Sequence, residues 1–373
     1  MTADTRPDLL PGGLLSGGLL SGGALLAIES SCDDSACAIL AADGRILAEA
    51  VHSQNEHAPL GGVVPEIAAR AHLTVLPGLV ARTVEQAGMT LGEIGAFAAT
   101  TGPGLIGGLI VGSSFAKGLA IARQRPFIAV NHIEAHALTP RLPGLSSPPL
   151  SFPYLLLLVS GGHCQCVAVR GIGDYEKLGG TIDDAAGEAF DKVAKLLGLG
   201  WPGGPALEKL AREGDPTAVA LPRPLMGRAG CEFSFSGLKT AVARVLAPYG
   251  REPLPRQHAA DIAASFQRNV ADVMADRAEN ALGMAPDASA LVVAGGVAAN
   301  GELRARLETV AHQHGIRFVA PPLRLCTDNA VMVGWAALER LRARATLDLG
   351  MEDELAVLPR PRWPLDELIP VHA

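Results

Sequence analysis

At 373 residues, with 49% hydrophobic and 18% charged side chains, the chain exceeds what one hydrophobic core usually holds and predicts two lobes. A formal charge of -7 argues against a broad polyanion-binding surface, so a nucleic-acid partner has to be met by a local basic patch or through another subunit. The six cysteines form no C-x-x-C pair and no disulfide-framework spacing, which fits a reducing cytoplasm.

Residues 1–23 contain Gly-Gly-Leu-Leu-Ser twice, broken by glycines, and predict a flexible N-terminal extension rather than a signal peptide. No later apolar run reaches the ~18 residues of a membrane span, so no membrane association is expected. From residue 24 the pattern reads strand (24–29), polar turn (30–34), strand (35–40), an Asp43-Gly44 turn and strand (45–51), a hairpin meander. A long helix (65–86), a strand (96–100), a Gly-rich turn (101–108) and a helix to residue 122 follow. The proline-rich stretch 141–153 reads as a connection. The order then recurs: strand 154–159, turn 160–163, strand 164–169, helices 183–197, 237–246 and 261–281, strand 290–294, a Gly295-Gly296 turn and a helix from 299. This repeat predicts a duplicated α/β chain. Lobe one covers 24–140, lobe two covers 154–328, a helix over 329–345 crosses back to lobe one, and a tail occupies 346–373.

Chemistry concentrates at a few points. His132 and His136 lie four positions apart on one face of a helix, which is metal-ligand spacing. Glu134 falls about 200° from His132 at ~100° per residue, so this is not the peptidase motif, whose general base follows its first His directly. Asp328, before the last helix, is either an N-cap or the third ligand of a two-His, one-carboxylate site suited to Fe(II) or Zn(II). The turns at 101–108, 160–162 and 295–296 follow strands and offer backbone N–H groups to phosphates, with Ser160-Gly161-Gly162 the sharpest of them. Asp183, Asp184, Glu188 and Asp191 crowd one predicted helix and imply either a solvated face or a ribose or metal partner. Ser236 reads as a helix cap, and 201–205 as a rigid loop. Cys164 and Cys166 alternate on one strand face and read as packing residues.

The stretches Ala27-Ile28-Glu29-Ser30-Ser31-Cys32-Asp33-Asp34-Ser35, His132 to His136, Val159-Ser160-Gly161-Gly162-His163, 182–192, 233–240, 294–300 and 326–329 resemble the universal tRNA threonylcarbamoyladenosine transferase family, in order over 24–368. The resemblance implies two duplicated ribonuclease-H-like lobes of the actin, Hsp70 and sugar-kinase type around a nucleotide cleft. It also implies transfer of a threonylcarbamoyl group from threonylcarbamoyl-AMP to N6 of adenosine 37 in tRNAs that read codons beginning with A. By the same resemblance His132, His136 and Asp328 are ligands of one divalent metal, Fe(II) first and Zn(II) second. Leu158, Val159, Ser160, Gly161, Gly162, Asp191, Gly204 and Asn300 are then adenylate contacts. Implied partners are tRNA, a smaller paralogue of the same fold and a small P-loop ATPase, and the implied location is the cytoplasm. The chain departs from the family pattern at Asp34, where bacterial relatives often carry Glu, at Ala135 for Gly and at Cys164 for Thr.

Such a reaction is acyl transfer to a weak amine and needs positioning and charge stabilisation rather than a nucleophilic side chain. Asp33 or Asp34 is the candidate for taking or orienting the amine proton, against an Asx-turn role for each. Alternatives on the same fold are an ATP-dependent kinase or carbamoyltransferase, for which a two-His site has no obvious task, and a metal-binding non-catalytic scaffold.

Overall fold

The computed structural model describes residues 23–54, 57, 62–200, 202–250, 254–346 and 354–371. The predicted N-terminal extension lies outside the described residues except for Gly23, as do Trp201 and part of the predicted tail. The chain divides into two compact units, one formed by residues up to Pro143 together with those from Asp328 on, the other by Gly144–Thr327.

The first unit contains β1 (Ala24–Glu29), β2 (Asp34–Ala41), β3 (Ile46–Ser53), α1 (Pro65–Gln86), β4 (Ile94–Gly102), α2 (Ile106–Arg123), β5 (Phe127–Asn131) and α3 (His132–Leu138). Its sheet runs β3-β2-β1-β4-β5, antiparallel within the meander and parallel from β1 through β4 to β5. The apolar run of β1 is buried at every position, as a central strand covered on both faces requires, whereas edge strand β3 alternates. Helix α2, 18 residues long, is apolar enough to cross a membrane by length and composition, which corrects the expectation that no later segment reaches that threshold. Its Gly108, Leu109, Gly112 and Ala116 are buried, and it packs against β4, α1 and β1. Glycine is needed there: a Cβ at Gly108 would lie 2.2 Å from the Ser30 carbonyl and one at Gly112 2.0 Å from Ser30 Oγ. The helix thereby seats directly on the β1–β2 turn.

The second unit contains β6 (Tyr154–Val159), β7 (Cys164–Gly171), β8 (Asp174–Gly180), α4 (Ala186–Leu196), α5 (Gly203–Ala211), α6 (Ser236–Leu246), α7 (Arg256–Met284), β9 (Ala290–Ala294), α8 (Gly301–Gln313) and β10 (Arg317–Val319). Its sheet, β10-β9-β6-β7-β8, repeats the first strand for strand in order and direction. Cys164 and Cys166 join Leu155, Leu157 and Phe190 in its core, where Phe190 meets Phe266 edge-on at 5.1 Å. The helix predicted from 183 starts at Ala186, because the Asp183 carboxylate accepts from Phe235 N at 2.8 Å and from Ser236 Oγ at 2.8 Å. Asp183 thus serves the start of α6, the task assigned above to Ser236.

The last helix, α9 (Ala330–Thr346), returns to the first unit, packs on β1, β2 and α3, and donates from Trp335 Nε1 to the Leu138 carbonyl at 3.0 Å. Asp328 groups with it in the first unit, not at the end of lobe two. The expected connection 141–153 is divided after Pro143. Its later residues are tied to the second unit by Ser289, which donates to the Ser151 and Pro153 carbonyls, and by Arg317 at the Pro148 carbonyl.

Candidate functional site

Strand β5 ends at Asn131, whose Oδ1 accepts from Ile133 N at 2.9 Å and Glu134 N at 3.3 Å, and this cap starts α3. The helix has seven residues, all buried, so its two imidazoles require polar partners. His132 is 4% exposed and His136 1%. Their Nε2 atoms face one oxygen, Asp328 Oδ1, at 3.5 Å and 3.1 Å, and the rings meet edge-on at 4.8 Å. His136 Nδ1 has no hydrogen-bond partner among the described residues, leaving Nε2 as that ring's directional polar contact. At the start of the last helix Asn329 caps, its Oδ1 accepting from Met332 N at 2.9 Å. Glu134 lies instead 3.5 Å from Arg340 Nη1.

The other nitrogen of His132 is held from behind. Nδ1 lies 3.2 Å from Ser31 Oγ and 3.3 Å from Glu29 Oε2, while Glu29 accepts from Ser31 N at 2.6 Å and from Thr100 Oγ1 at 2.5 Å. Glu29 was not singled out from the sequence; the available signal was a carboxylate ending an otherwise apolar strand. Burial pulls the His132 pKa down, but the carboxylates of Asp328 and Glu29 together prevail and carry it up to about 9. For Glu29 burial acts upward, and the His132 charge and hydrogen bond outweigh it and hold the carboxyl below its usual range. Two imidazole nitrogens and a carboxylate oxygen, with ligand atoms within 4.8 Å of one another, form a donor set that suits a divalent cation. A carboxylate on the far nitrogen of a ligating His is what such sites normally carry.

Asp33 and Asp34 lie where the β1–β2 turn enters β2, Asp34 opposite Ser53. Burial raises the Asp34 pKa, a Ser53 hydrogen bond opposes it, and the charges of Asp328, Asp33 and Glu29 add to the rise, bringing it to about 6. The turn is pinned from below by His72. That ring takes the Ser35 hydroxyl on Nδ1 at 2.7 Å and donates from Nε2 to the Cys32 carbonyl at 3.0 Å.

In the second unit Leu158 and Val159 end β6, and the turn closes with Ser160 N donating to the His163 carbonyl at 2.7 Å and His163 N to Ser160 Oγ at 3.0 Å. Gly161 and Gly162 are exposed, and a Cβ on either would meet nothing within 4 Å. Gly295, at φ +91°, lets the end of β9 pass against this turn, since a Cβ there would lie 2.4 Å from the Val159 carbonyl. Helix α4 joins the same place, Gly187 N donating to the Ser160 carbonyl at 3.2 Å. Asp191 on α4 accepts from Gly203 N at 2.8 Å and also from Gly204 N, so Asp191 and Gly204 meet at the start of α5. Asn300 caps α8 through Leu303 N at 3.0 Å and donates to Gln267 Oε1 at 2.8 Å. Asp184 and Glu188 both pair with Lys192 at 2.7 Å, which removes the reason to expect a separate cation or ribose for them.

A family model described as tRNA N6-adenosine threonylcarbamoyltransferase matches residues 45–335. The chain is 70% identical over 350 residues to the tRNA N6-adenosine threonylcarbamoyltransferase of Gluconobacter oxydans, covering 93% of this chain and 94% of that protein. It is 60% identical over 351 residues to the corresponding protein of Granulibacter bethesdensis, covering 92% and 93%. Among solved structures, HypF of T. kodakarensis superposes with a TM-score of 0.55 at 15% identity, over 90% of this chain and 49% of that one. Full-length HypF in a phosphate- and nucleotide-bound form gives 0.53 at 12% identity, over 86% and 56%. These two share the fold, the two-lobed α/β class of the actin, Hsp70 and sugar-kinase type.

Proposed function

The chain belongs to the tRNA N6-adenosine threonylcarbamoyltransferase family, and from that membership we propose that it transfers the threonylcarbamoyl group of threonylcarbamoyl-AMP to N6 of adenosine 37 in tRNAs reading codons that begin with A. The observation that carries the reading is identity of 70% over 93% of the chain, together with His132, His136 and Asp328 turned toward one point. The proposed resident metal is Fe(II), with Zn(II) second, held by those three residues. When bound it supplies Lewis-acid stabilisation to oxygens of the transferred group.

The chain's own side chains do the rest. The proposed adenylate contacts are Leu158 to Gly162, Asp191, Gly204 and Asn300. The open backbone at Gly161 and Gly162 supports a role in approaching the phosphate, and the structural bonds of Asp191 and Asn300 would make them holders of the surrounding backbone. Asp34 is the proposed acceptor of the N6 proton, with Asp33 beside it; a carboxylate with a pKa near 6 matches the protonation state that a base needs at neutral pH. Family membership is the ground for proposing as partners a smaller paralogue of the same fold and a small P-loop ATPase, in the cytoplasm; the formal charge of -7 supports only that another subunit helps to meet tRNA.

Nucleoside analysis of tRNA from cells depleted of the protein tests the assignment. Threonylcarbamoyladenosine falls on depletion and returns on re-expression; an unchanged level would reject the activity.

A further inference from the structure

We infer that the C-terminal segment 354–363 is a strap that positions the metal-ligand helix through Asn131, an inference that rests on reading His132, His136 and Asp328 as a metal site. Asn131 is fully buried and joins three elements. It is the last residue of β5, paired with Gly102 of β4. Its Oδ1 caps α3, and its Nδ2 donates to the Trp363 carbonyl at 3.0 Å. The amide is therefore held at both ends, oxygen toward the helix and nitrogen toward the strap. Turned over, it would set its own donors against the N–H groups of Ile133 and Glu134.

The strap is laid down along the edge of the first unit by contacts that do not involve the metal ligands. Glu354 Oε2 accepts from Ala129 N at 2.5 Å, Lys117 Nζ donates to the Val357 carbonyl, Arg360 N donates to the Thr101 carbonyl at 2.7 Å, and Gly104 N donates to the Pro361 carbonyl at 3.1 Å. Gly102 is required for this approach, since at φ +154° a Cβ would lie 2.0 Å from the Arg360 carbonyl. Trp363 is 9% exposed, and its Nε1 is buried with no hydrogen-bond partner among the described residues, so the ring acts through packing and through its face, over which the Arg360 guanidinium lies 5.5 Å from the centroid. That packing presents the carbonyl to Asn131, and His132 is the next residue in the chain. Losing the bond frees the amide to turn and loosens the helix start that aims both imidazoles.

The test is Zn(II) affinity of the full-length protein, measured by competition with a chromophoric chelator, with melting temperature followed in parallel. Trp363→Ala and Asn131→Ser, which keeps a capping oxygen but loses the reach to Trp363, each weaken Zn(II) binding by about 3- to 10-fold, less than the roughly 10- to 100-fold cost of losing a direct outer partner of a ligand. Because both act on one bond, the double variant binds no more weakly than the weaker single. Trp363→Phe binds as wild type, having no indole bond to lose, and so does Leu358→Ala, at a side chain 75% exposed. An unchanged affinity in Trp363→Ala, whatever happens to its melting temperature, overturns the strap, as do additive losses in the double variant. Failure of the metal reading is recognised separately: wild type then binds no Zn(II) that the His132→Ala, His136→Ala variant loses.

Discussion

Asp328 Oδ1 stands 3.1 Å from His136 Nε2 across 192 positions of sequence. The pairing follows from the return of α9 to the first unit, where its near-continuous burial against β1, β2 and α3 carries the residues before it to the histidines. Asn329, the next residue, caps the helix by accepting from Met332 N at 2.9 Å.

Metal content should follow these three side chains. Reconstituted with Fe(II) or Zn(II) and dialysed, the protein retains one equivalent by elemental analysis, and the His132→Ala, His136→Ala variant retains close to none. Equal, near-zero content in both would remove the site.

Affinity for that metal should rise with pH. With its pKa at about 9, His132 carries a proton at neutral pH that a metal must displace, so the apparent Kd falls about tenfold per pH unit up to about 9 and one proton is released per metal bound. The stability of the metal-free protein has the opposite sign. A His pKa raised above its ordinary 6.5 contributes stability that is full below 6.5 and lost as pH rises through 9. Proton release measured in two buffers of different ionisation enthalpy checks the first statement, and thermal melts across this range check the second.

Much of the fold is legible in the chain because its central strands are unbroken apolar runs bounded by turn residues: β1, β6 and β9 end where the sequence pattern ends them. Of the missed elements β5, Phe-Ile-Ala-Val-Asn, is a buried apolar run of the same kind, and the others lack that contrast. β10 has three residues, β8 reads Asp-Tyr-Glu-Lys-Leu-Gly-Gly, and α5 opens Gly-Gly-Pro, which mimics a loop until Asp191 supplies the cap from another helix. The site follows the same division. His132 and His136 announce themselves by local spacing, whereas Asp328 is equally a cap until the fold places it, and the role of Glu29 exists only through contacts with Thr100 and His132, 71 and 103 positions away.

Glu29→Gln should weaken metal binding by about 10- to 100-fold and also destabilise the fold. The amide has one acceptor oxygen where the carboxylate serves Ser31 N, Thr100 Oγ1 and His132 Nδ1, and breaking a buried ion pair typically costs about 3–5 kcal/mol. Chelator competition and chemical denaturation measure the two effects. Wild-type metal affinity in a stable variant would show that His132 needs no carboxylate behind it.

Gly161→Val should leave the fold intact and block the adenylate. The position has open space where a Cβ would be placed, so the melting temperature stays near that of wild type, while the added bulk covers the N–H groups of the turn. Affinity for an AMP-based analogue falls at least tenfold. An unchanged affinity in the folded variant would move the adenylate elsewhere.

Asp34→Asn separates a base from a turn former, because it keeps the shape at the start of β2 and removes the charge. An interaction made mainly in the transition state lowers kcat by about 10² to 10⁴ with little change in KM, the span usual for a positioned acid or base. The pH profile adds a second signature. Wild-type kcat falls as pH drops through about 6, where Asp34 takes up its proton, and a cation beside Asp328 would shift that limb lower; in Asp34→Asn the limb is absent. Stability runs the other way, since a carboxyl pKa raised from 3.8 to about 6 favours the folded state below 3.8 and loses that contribution as pH rises to 6, so Asp34→Asn is no less stable than wild type at pH 7. Asp33→Asn is the matched comparison. Transfer assays with preformed threonylcarbamoyl-AMP and tRNA decide the matter: near-normal kcat and an intact acid limb in Asp34→Asn would leave Asp34 a structural residue of the turn.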